Sequence, residues 1–323
     1  MNYIGSKLSL LSFIEDSIKE TVGDISDKIF FDLFAGTGVV ANYFNGLVKA
    51  VYANDIEKYS YILNCNYLLN KESHKVDFEW LNSLKPLKGF FWKHYSPEGG
   101  RMYFTKENAM KIDAIKKVIF YSDSVNEIYR MHFLASLIES ADKVANTASV
   151  YGAYLKNFKD TALKEFILIP ADFKKIEAPN KVFNNKAEYI VKFIKSDILY
   201  LDPPYNARQY GANYHILNSL VTKEEFIPQG ITGLPEFYNK SDFCSKRKVK
   251  NAFIELFKNA QAKHIFLSYN NEGLLDSNAL KEIMSNFGSY KLFTKEYKRY
   301  KADNKREYTA DSTIEYLHYL KKS

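Results

Sequence analysis

The chain has 323 residues, of which 46% are apolar and 26% charged, with a formal net charge of +7 and two cysteines. This size and balance exclude a mainly disordered or fibrous protein and suit one large α/β domain, or one domain with a sizeable insertion. Two cysteines cannot form a disulfide framework and no apolar run approaches the length of a membrane span, so we expect a cytoplasmic protein without a membrane anchor or signal peptide.

The first part of the chain alternates between helix and strand patterns. Apolar residues at helical spacing predict a helix over 8–20. The apolar run 29–34 predicts a buried strand, which ends in a glycine turn at 35–38 before another helix. A second short strand, 50–53, and a helix, 60–69, follow. This order is that of a βαβ unit.

The alternation stops near residue 71 and resumes near residue 181. Between these points the pattern is mostly helical, with a long helix predicted over 126–144. The later predicted elements are a strand, a helix, a strand, a helix and an antiparallel hairpin: 198–201, 252–262, 264–269, 275–287, and 290–300 with 312–320. We therefore predict a mostly parallel α/β sheet with a terminal hairpin, formed by 1–70 and 181–323, and a helical insertion over 71–180.

Two glycines follow the first predicted strand, in Phe34-Ala35-Gly36-Thr37-Gly38. They allow a sharp turn and let a ligand approach the backbone at the carboxyl end of the strand, where open α/β sheets bind ligands. The pattern lacks the third glycine of a dinucleotide motif and the Lys-Ser/Thr of a phosphate loop, which favours an adenosyl ligand without a pyrophosphate. Asp55 ends the second strand, where its carboxylate can bind ribose hydroxyls or cap the next helix.

Asp202-Pro203-Pro204-Tyr205 comes directly after a buried predicted strand. The two prolines remove two backbone donors and stiffen the turn. The Asp202 carboxylate and the Pro203 carbonyl can then accept hydrogen bonds from one amino group, while Tyr205 offers a flat face to a planar base. Two such acceptors favour a tetrahedral amine nitrogen and free its lone pair. The motif therefore predicts chemistry on an exocyclic amine.

With these motifs the chain resembles the D12-class DNA adenine-N6 methyltransferases, in the alpha order of motifs and of the restriction–modification type. Tyr3-Ile4-Gly5-Ser6-Lys7 resembles the family's methionine-moiety motif, the glycine turn its S-adenosylmethionine loop, and 202–205 its catalytic motif. The resemblance implies cofactor contacts from the following residues: Tyr3, Gly5, Lys7, Phe34, Ala35, Gly36, Thr37, Gly38, Asp55, Ile56, Asn184 and Asp202.

The resemblance implies a class I S-adenosylmethionine-dependent methyltransferase fold, with a Rossmann-like, seven-stranded mixed sheet and target recognition by the insertion. The reaction would be methyl transfer to N6 of an adenine flipped out of duplex DNA. Asp202, Pro203, Pro204 and Tyr205 would form the catalytic site, a cognate restriction endonuclease would be a partner, and no metal is expected.

Three positions allow more than one interpretation. Where the family often has an acid that contacts the cofactor adenine, this chain has Asn184, whose amide can still hydrogen-bond the adenine. Lys7 can pair with the carboxylate of the cofactor or with a carboxylate of the catalytic loop, and the resemblance favours the first. His215 follows the catalytic motif and is better interpreted as a structural histidine than as a general base.

The positive charge is concentrated in three stretches. Residues 85–118, 240–263 and 291–306 each carry a net charge of +5, together +15 against a total of +7, so the rest of the chain is at −8. The first stretch also has interleaved aromatic residues. A basic stretch is often only a solvated surface, but in a predicted nucleic-acid enzyme it favours phosphate contact. The candidates for DNA contact are Lys93, Arg101, Lys106, Lys111, Arg208, Lys246, Arg247 and Lys248.

Three other functions stay open at this point. Cytosine-N4 methylation uses the same amine chemistry, although Asp202 in place of a serine before the prolines disfavours it. Methylation of RNA or of a protein amide is the second, and protein-amide enzymes tend to have Asn at this position. The third is a non-catalytic DNA-binding partner with a degenerate cofactor site, against which the intact glycines, Asp55 and Asp202 argue.

Overall fold

The structure, a computed structural model, describes most of the chain: residues 7–70, 78–123, 125, 127–148, 150–298 and 312–323. These residues fold into two compact units. We call them the helical unit, Glu57–Lys175 with Tyr210–Asn239, and the sheet unit, which is the described part of Ser6–Ile56 with Ile176–Gln209 and Lys240–Ser323.

The sheet unit is built on one seven-stranded sheet. In chain order its strands are β1 Ile29–Asp32, β2 Ala50–Asn54, β3 Lys181–Phe183, β4 Ser196–Leu201, β5 Ala262–Asn270, β6 Gly288–Lys298 and β7 Ser312–Lys322. Their order across the sheet is β3-β2-β1-β4-β5-β7-β6. The first five are parallel, and β7 lies antiparallel between β5 and β6. The predicted mixed sheet with a terminal antiparallel hairpin is confirmed.

The α-helices of the described residues are, in chain order, α1 Leu11–Val22, α2 Val39–Phe44, α3 Lys58–Leu69, α4 Phe78–Ser83, α5 Phe90–Tyr95, α6 Lys106–Tyr121, α7 Glu127–Val144, α8 Ala187–Ile190, α9 Tyr210–Asn213, α10 His215–Leu220, α11 Val249–Asn259 and α12 Ser277–Ser285. The predicted long helix is α7, and the predicted first helix begins with a 3-10 turn, Leu8–Leu10, before α1. None of the described helices is long and apolar enough to cross a bilayer.

The inner parallel strands are short apolar runs because both faces of the sheet are covered. Phe30 and Phe31 of β1 and Leu199 and Leu201 of β4 are fully buried. Burial of each such side chain contributes about 1.5–3 kcal/mol. Strand β3, at the edge of the sheet, has no buried residue. This is why the sequence pattern located β1 and β4 but not β3.

The core of the helical unit is rich in aromatic side chains. Phe90, Phe91, Tyr95, Tyr103 and Phe104 lie in the first basic stretch, and each is at most 5% exposed. Neighbouring rings among them meet with centroids 5.5–6.1 Å apart. Such pairs contribute about 0.5–1.5 kcal/mol beyond their burial. The aromatic residues that the sequence placed among phosphate-binding cations therefore stabilise the unit from inside.

The helical unit extends beyond the predicted insertion, 71–180. Helix α3 and the segment 210–239 also belong to it, although their sequence patterns suggested the sheet domain. Burial is the reason, because Tyr59 of α3 and Tyr214 lie in the same apolar core, with ring centroids 5.7 Å apart. A strand–helix alternation shows that α3 is a helix but not which core it joins.

Asn54, the last residue of β2, joins the ends of three strands. Its Nδ2 donates to the carbonyl of Leu33 after β1 and to that of Asn185 after β3, each at 3.1 Å, and its Oδ1 accepts from the Asn185 amide at 3.1 Å. The residue is 2% exposed, so water cannot replace these bonds. The loops at this edge of the sheet are therefore fixed to one another.

We expect Asn54→Ala to lower the free energy of unfolding by about 1–3 kcal/mol, because it leaves buried backbone groups without partners. Denaturant unfolding followed by circular dichroism measures this. Asn286→Ala is the matched control, since its amide donates to Glu282 at the exposed end of α12. An equal loss in the two variants would contradict the role of Asn54.

Candidate active site

The carboxyl ends of β1, β2 and β4 meet where the strand order of the sheet reverses, between β1 and β4. Backbone hydrogen bonds join these ends: Leu33 N donates to the Tyr200 carbonyl at 3.0 Å, and Ala35 N to the Asn54 carbonyl at 2.9 Å. Such a switch point is the usual ligand-binding position of an open α/β sheet. The glycine turn and both predicted site acids follow these three strands.

The glycine turn between β1 and α2 is left-handed at both glycines. φ is 52° at Gly36 and 79° at Gly38, a conformation that strains a residue with a Cβ. Gly38 N closes the turn by donating to the Ala35 carbonyl at 2.8 Å. Ala35 is buried, while Phe34 and Thr37 are half-buried. The predicted sharp turn is confirmed.

Asp55 contacts the glycine turn directly, because its Oδ2 accepts a hydrogen bond from the Gly36 amide at 2.8 Å. Asn184 is exposed beside it, and its Nδ2 donates to the Asp55 carbonyl at 2.8 Å. Ile56 is half-buried at the same strand end. The structure thus brings these three predicted cofactor residues to the turn, and their contacts with a cofactor stay predictions.

Asp32, the last residue of β1, is a buried carboxyl group that the sequence analysis did not select. It is 1% exposed, and its Oδ1 has no hydrogen-bond partner among the described residues. Burial raises the pKa of Asp32 well above its ordinary value, and the charges of Asp202 and Asp55 raise it further. The burial of Asp32 thus favours the protonated form of its carboxyl group. A signal was present in the sequence, since an acid interrupts an apolar run.

The predicted catalytic motif follows β4 without a break. Lys7 Nζ lies 3.0 Å from Asp202 Oδ1, and the Asp202 side chain is 19% exposed. Pro203 is buried and Pro204 is half-buried. A charged residue from the start of the described chain thus contacts the carboxylate at the end of the fourth strand.

The Tyr205 ring is held next to this ion pair. Lys7 Nζ lies 5.6 Å from the centre of the ring, within the range of a cation–π interaction. The ring of Tyr269 meets it edge-on, with centroids 6.0 Å apart. The Tyr205 carbonyl accepts from Leu274 N at 2.9 Å, which fixes the backbone after the motif.

Lys7 is shared by two carboxylates. Its Nζ also lies 3.5 Å from Glu315 Oε1 of β7, an oxygen that accepts from Ser268 Oγ of β5 at 2.5 Å. Lys7 and Glu315 are 5% and 2% exposed. The resemblance favoured a contact of Lys7 with the cofactor carboxylate. In the structure its ammonium group contacts the Asp202 carboxylate of the predicted catalytic motif, the other of the two partners considered.

Burial by itself would lower the pKa of Lys7, but the charges of Asp202 and Glu315 outweigh it and hold this pKa well above its ordinary value. Burial raises the pKa of Asp202 to about 6, Lys7 opposes this rise, and Glu315 adds to it. One ammonium group therefore faces two carboxylates. When both acids are ionised, the three side chains carry a net negative charge.

Six of the eight cations predicted to contact DNA are exposed. Two of these six form surface ion pairs, Lys106 with Glu98 and Lys248 with Asp242. Such exposed pairs contribute little, so a phosphate can replace the carboxylate. The other four are Lys93, Arg208, Lys246 and Arg247.

Arg101 and Lys111 have backbone partners instead. The Arg101 guanidinium donates to the carbonyls of His94 at 3.1 Å, Gly230 at 2.9 Å and Ile231 at 3.2 Å. Lys111 Nζ donates to the carbonyl of Asn82, near the end of α4, and to that of Leu84 at 3.1 Å. We therefore assign both residues a structural role in the helical unit in place of the predicted phosphate contact. The sequence could not show this, because the Arg101 partners at 230 and 231 lie far along the chain.

The loop 228–234 has three further anchors in the helical unit. Tyr95 Oη donates to the Gly233 carbonyl at 2.7 Å, and Tyr103 Oη to the Thr232 carbonyl at 3.0 Å. His215 is 1% exposed, and its Nε2 lies 3.0 Å from the same Thr232 oxygen. The interpretation of His215 as a structural histidine is confirmed.

Two parts of the sequence analysis lie outside the described residues. These are Tyr3 and Gly5 of the N-terminal motif, and residues 299–306 of the third basic stretch. Their roles stay predictions.

The strand order, the glycine turn at the switch point and the motif after β4 define the class: this is a class I S-adenosylmethionine-dependent methyltransferase fold with a helical unit added. The chain belongs to the D12 class N6 adenine-specific DNA methyltransferases, whose sequence model matches residues 3–283. It is a DNA adenine methyltransferase, as the sequence motifs predicted.

Several relatives are similar over most of this chain. The chain is 48% identical to the type II methyltransferase M.NlaIII of Neisseria lactamica, over 100% of both chains. It is 41% identical to M.CviAII of Paramecium bursaria Chlorella virus 1, over 94% of this chain and 93% of that one. It is 36% identical to M.FokI of Planomicrobium okeanokoites, over 100% of this chain but 53% of that one.

We expect Arg101→Ala to lower the free energy of unfolding by about 1–3 kcal/mol, because the backbone carbonyls that the guanidinium binds lose a charged donor. Urea unfolding measures this. Lys93→Ala, at an exposed position on α5, is the control and should change the stability by less than about 0.5 kcal/mol. Unchanged stability of the Arg101 variant would contradict the structural role.

Proposed function

We propose that the chain transfers the methyl group of S-adenosylmethionine to N6 of an adenine flipped out of duplex DNA, as the modification enzyme of a restriction–modification system. The observation that carries the proposal is the position of Asp202 at the switch point, 3.0 Å from Lys7 and beside the ring of Tyr205. Membership of the family indicates that the target base is adenine, and the geometry supports the role of each residue.

The residues around the glycine turn fit S-adenosylmethionine. The left-handed turn at Gly36 and Gly38 leaves space beside the backbone. The buried Asp32 Oδ1, which lacks a partner among the described residues, offers a polar contact to a ligand there. Asp55 would bind the ribose, and Asn184 the adenine. When bound, this cofactor supplies a methyl group activated by a positively charged sulfur.

The Asp202 carboxylate and the Pro203 carbonyl would accept the two N–H groups of the target amine. This makes the nitrogen more tetrahedral and its lone pair available for the new N–CH₃ bond, while the bond from the methyl carbon to sulfur breaks. N6 gains positive charge in this step and afterwards loses a proton. The net negative charge of Lys7, Asp202 and Glu315 would stabilise the developing positive charge.

Adenine N6 is hydrogen-bonded inside duplex DNA, so the base must leave the stack before it reacts. Tyr205 would stack on the flipped base, a contact that contributes about 1–3 kcal/mol. Its ring is suited to this role because Tyr269 and the Leu274 hydrogen bond hold it in one orientation. Most of the catalysis would then come from positioning.

We assign target recognition to the helical unit. Its own apolar core, separate from that of the sheet unit, supports an independent role. This unit replaces the predicted recognition domain, 71–180, because α3 and 210–239 belong to the same core. The exposed cations Lys93, Arg208, Lys246 and Arg247 remain the proposed phosphate contacts. The relatives named type II methyltransferases support a cognate restriction endonuclease as a partner.

A labelled-methyl assay on unmethylated duplex DNA tests the function. We expect incorporation that depends on the cofactor, and N6-methyladenosine after digestion to nucleosides. N4-methylcytosine as the product would favour the cytosine alternative. DNA binding without any incorporation would favour a non-catalytic partner.

We expect Asp202→Ala to reduce the methylation rate by about 10³-fold, because the amine loses its charged acceptor. Cofactor affinity, measured by calorimetry, should stay within about twofold, since Lys7 keeps Glu315 as its partner. Asp27→Ala, which removes an exposed carboxylate next to Lys28, is the control. Loss of cofactor binding together with activity would count against the proposed roles.

We expect the double variant Lys246→Ala/Arg247→Ala to bind DNA more weakly and with a flatter salt dependence. The slope of log K against log salt should fall by about 1.8, since each phosphate contact contributes about 0.9. Fluorescence anisotropy between about 50 and 200 mM salt measures it. Lys111→Ala should leave the slope unchanged, because its amine is bound to backbone carbonyls. A flatter slope in the Lys111 variant alone would reverse this assignment.

A further inference from the structure

We propose that Glu315 is a positioning residue of the methyl-transfer site: it shares the Lys7 ammonium group with Asp202 and thereby keeps the Asp202 carboxylate available to the target amine. The inference rests on the proposed function, because it assumes that Asp202 binds this amine. Glu315 lies outside the motifs that carry the family resemblance, since it is in the last strand.

The pairing of β5 with β7 builds the arrangement. In this antiparallel register Leu317 is opposite Ser268, and Glu315 is opposite Asn270. Residues 315 and 317 point to the same face, so Ser268 and Glu315 are diagonal neighbours on that face. The Ser268 hydroxyl donates to Glu315 Oε1 at 2.5 Å, the same oxygen that lies 3.5 Å from Lys7 Nζ.

The burial of Glu315 argues against an incidental contact. At 2% exposure, its carboxylate has lost most of its hydration, which is costly unless a cation and hydrogen bonds replace the water. Lys7 and Ser268 provide both. The site therefore holds a second negative charge in spite of its cost, next to a lysine that already has a partner.

The second charge changes what Asp202 can do. A Lys7–Asp202 pair alone would be neutral, and the ammonium group would compete with the target amine for the carboxylate oxygens. With Glu315 the three side chains have a net charge of −1, and part of the attraction of Lys7 is directed to β7. Because N6 becomes positively charged during methyl transfer, a net negative site stabilises the transition state more than a neutral one.

We considered whether another polar group near Lys7, Asp202 and Glu315 provides the second negative charge, and the contacts of these groups argue against it. Asp32, at the end of β1, has a pKa that burial and the charges of Asp202 and Asp55 raise well above its ordinary value, which favours its neutral form. Tyr200 of β4 has a buried hydroxyl, and burial also raises its pKa, so it is neutral. Lys295 of β6 is opposite Glu315 in the register, but its Nζ lies over the Phe13 ring, 5.7 Å from the centre. Glu315 is thus the countercharge of Lys7 beside Asp202 in the described part of the site.

The test is the pH dependence of kcat/KM for duplex DNA at saturating S-adenosylmethionine, which reports groups of the enzyme–cofactor complex. In the wild type we expect activity to fall on the acid side near pH 6, where Asp202 takes up a proton. In Glu315→Gln this fall should move about one pH unit lower, because a like charge is removed and Lys7 pairs more fully with Asp202. The rate on the plateau should drop about tenfold.

Two further variants make the test specific. Glu315→Asp keeps the charge but places the carboxylate farther from Lys7, because its side chain is shorter. The shift of the acid side and the loss of rate should therefore be in the same direction as in Glu315→Gln, but smaller. It also provides the test if the glutamine variant does not fold. Glu296→Gln makes the same charge change at an exposed position on β6, next to Ile314 in the register, and should match the wild type. Thermal unfolding and cofactor titration of each variant show whether the fold and the cofactor site are retained.

The outcomes separate the inference from the proposed function. A wild type that incorporates no methyl into adenine contradicts the proposed function itself. An active wild type with a Glu315→Gln variant that loses rate equally at every pH, or keeps the wild-type profile, overturns the inference, because a purely structural role would not move the acid side. A shift toward lower pH that is graded from Asp to Gln supports it.

Discussion

The chemistry at the carboxyl edge depends on one buried lysine that two carboxylates share. Lys7 contacts Asp202 after β4 and Glu315 in β7, and it also faces the ring of Tyr205. A lone buried ammonium group would lose its proton or leave the interior, so the lysine depends on the carboxylates beside it to stay charged and buried. The terminal antiparallel hairpin is thus part of the site as well as the end of the sheet, because it carries the second carboxylate.

Hydrogen bonds between loops hold the rest of the carboxyl edge of the sheet in place. Asn54 joins three strand ends, and Asp55 accepts from the Gly36 amide, so the loops that would surround a cofactor are bonded to each other before it binds. Such preorganisation matters for methyl transfer, where the protein contributes mostly by position and electrostatics. Asp32 adds a buried carboxyl group at the end of β1, where burial and the charges of Asp202 and Asp55 raise its pKa and disfavour a further negative charge.

The positive charge of the protein has two different uses. Some cations of the first basic stretch have a structural role in the helical unit, where Arg101 and Lys111 bind backbone carbonyls. Others, such as Lys246 and Arg247, are exposed and available for phosphates. A net charge therefore says little about DNA binding until burial and backbone partners are known. The aromatic residues are divided in the same way. Those of the first basic stretch are buried in the core of the helical unit, whereas the Tyr205 ring lies beside Lys7 at the site.

Local motifs were enough to predict the class of the fold and the glycine turn, and to select Asp55 and Asp202–Tyr205 as site candidates, because each depends on residues that are adjacent in sequence. A buried strand is an apolar run, and a left-handed turn needs glycine. The sequence by itself did not determine the extent of the helical unit, the partners of Arg101 or the presence of Glu315 beside Lys7. These depend on contacts between residues that are far apart in the chain, and Lys7 and Glu315 are 308 positions apart. Only the order and register of the strands decide which of the many acidic residues shares the buried lysine, since that choice is a matter of distance and burial and leaves no local pattern.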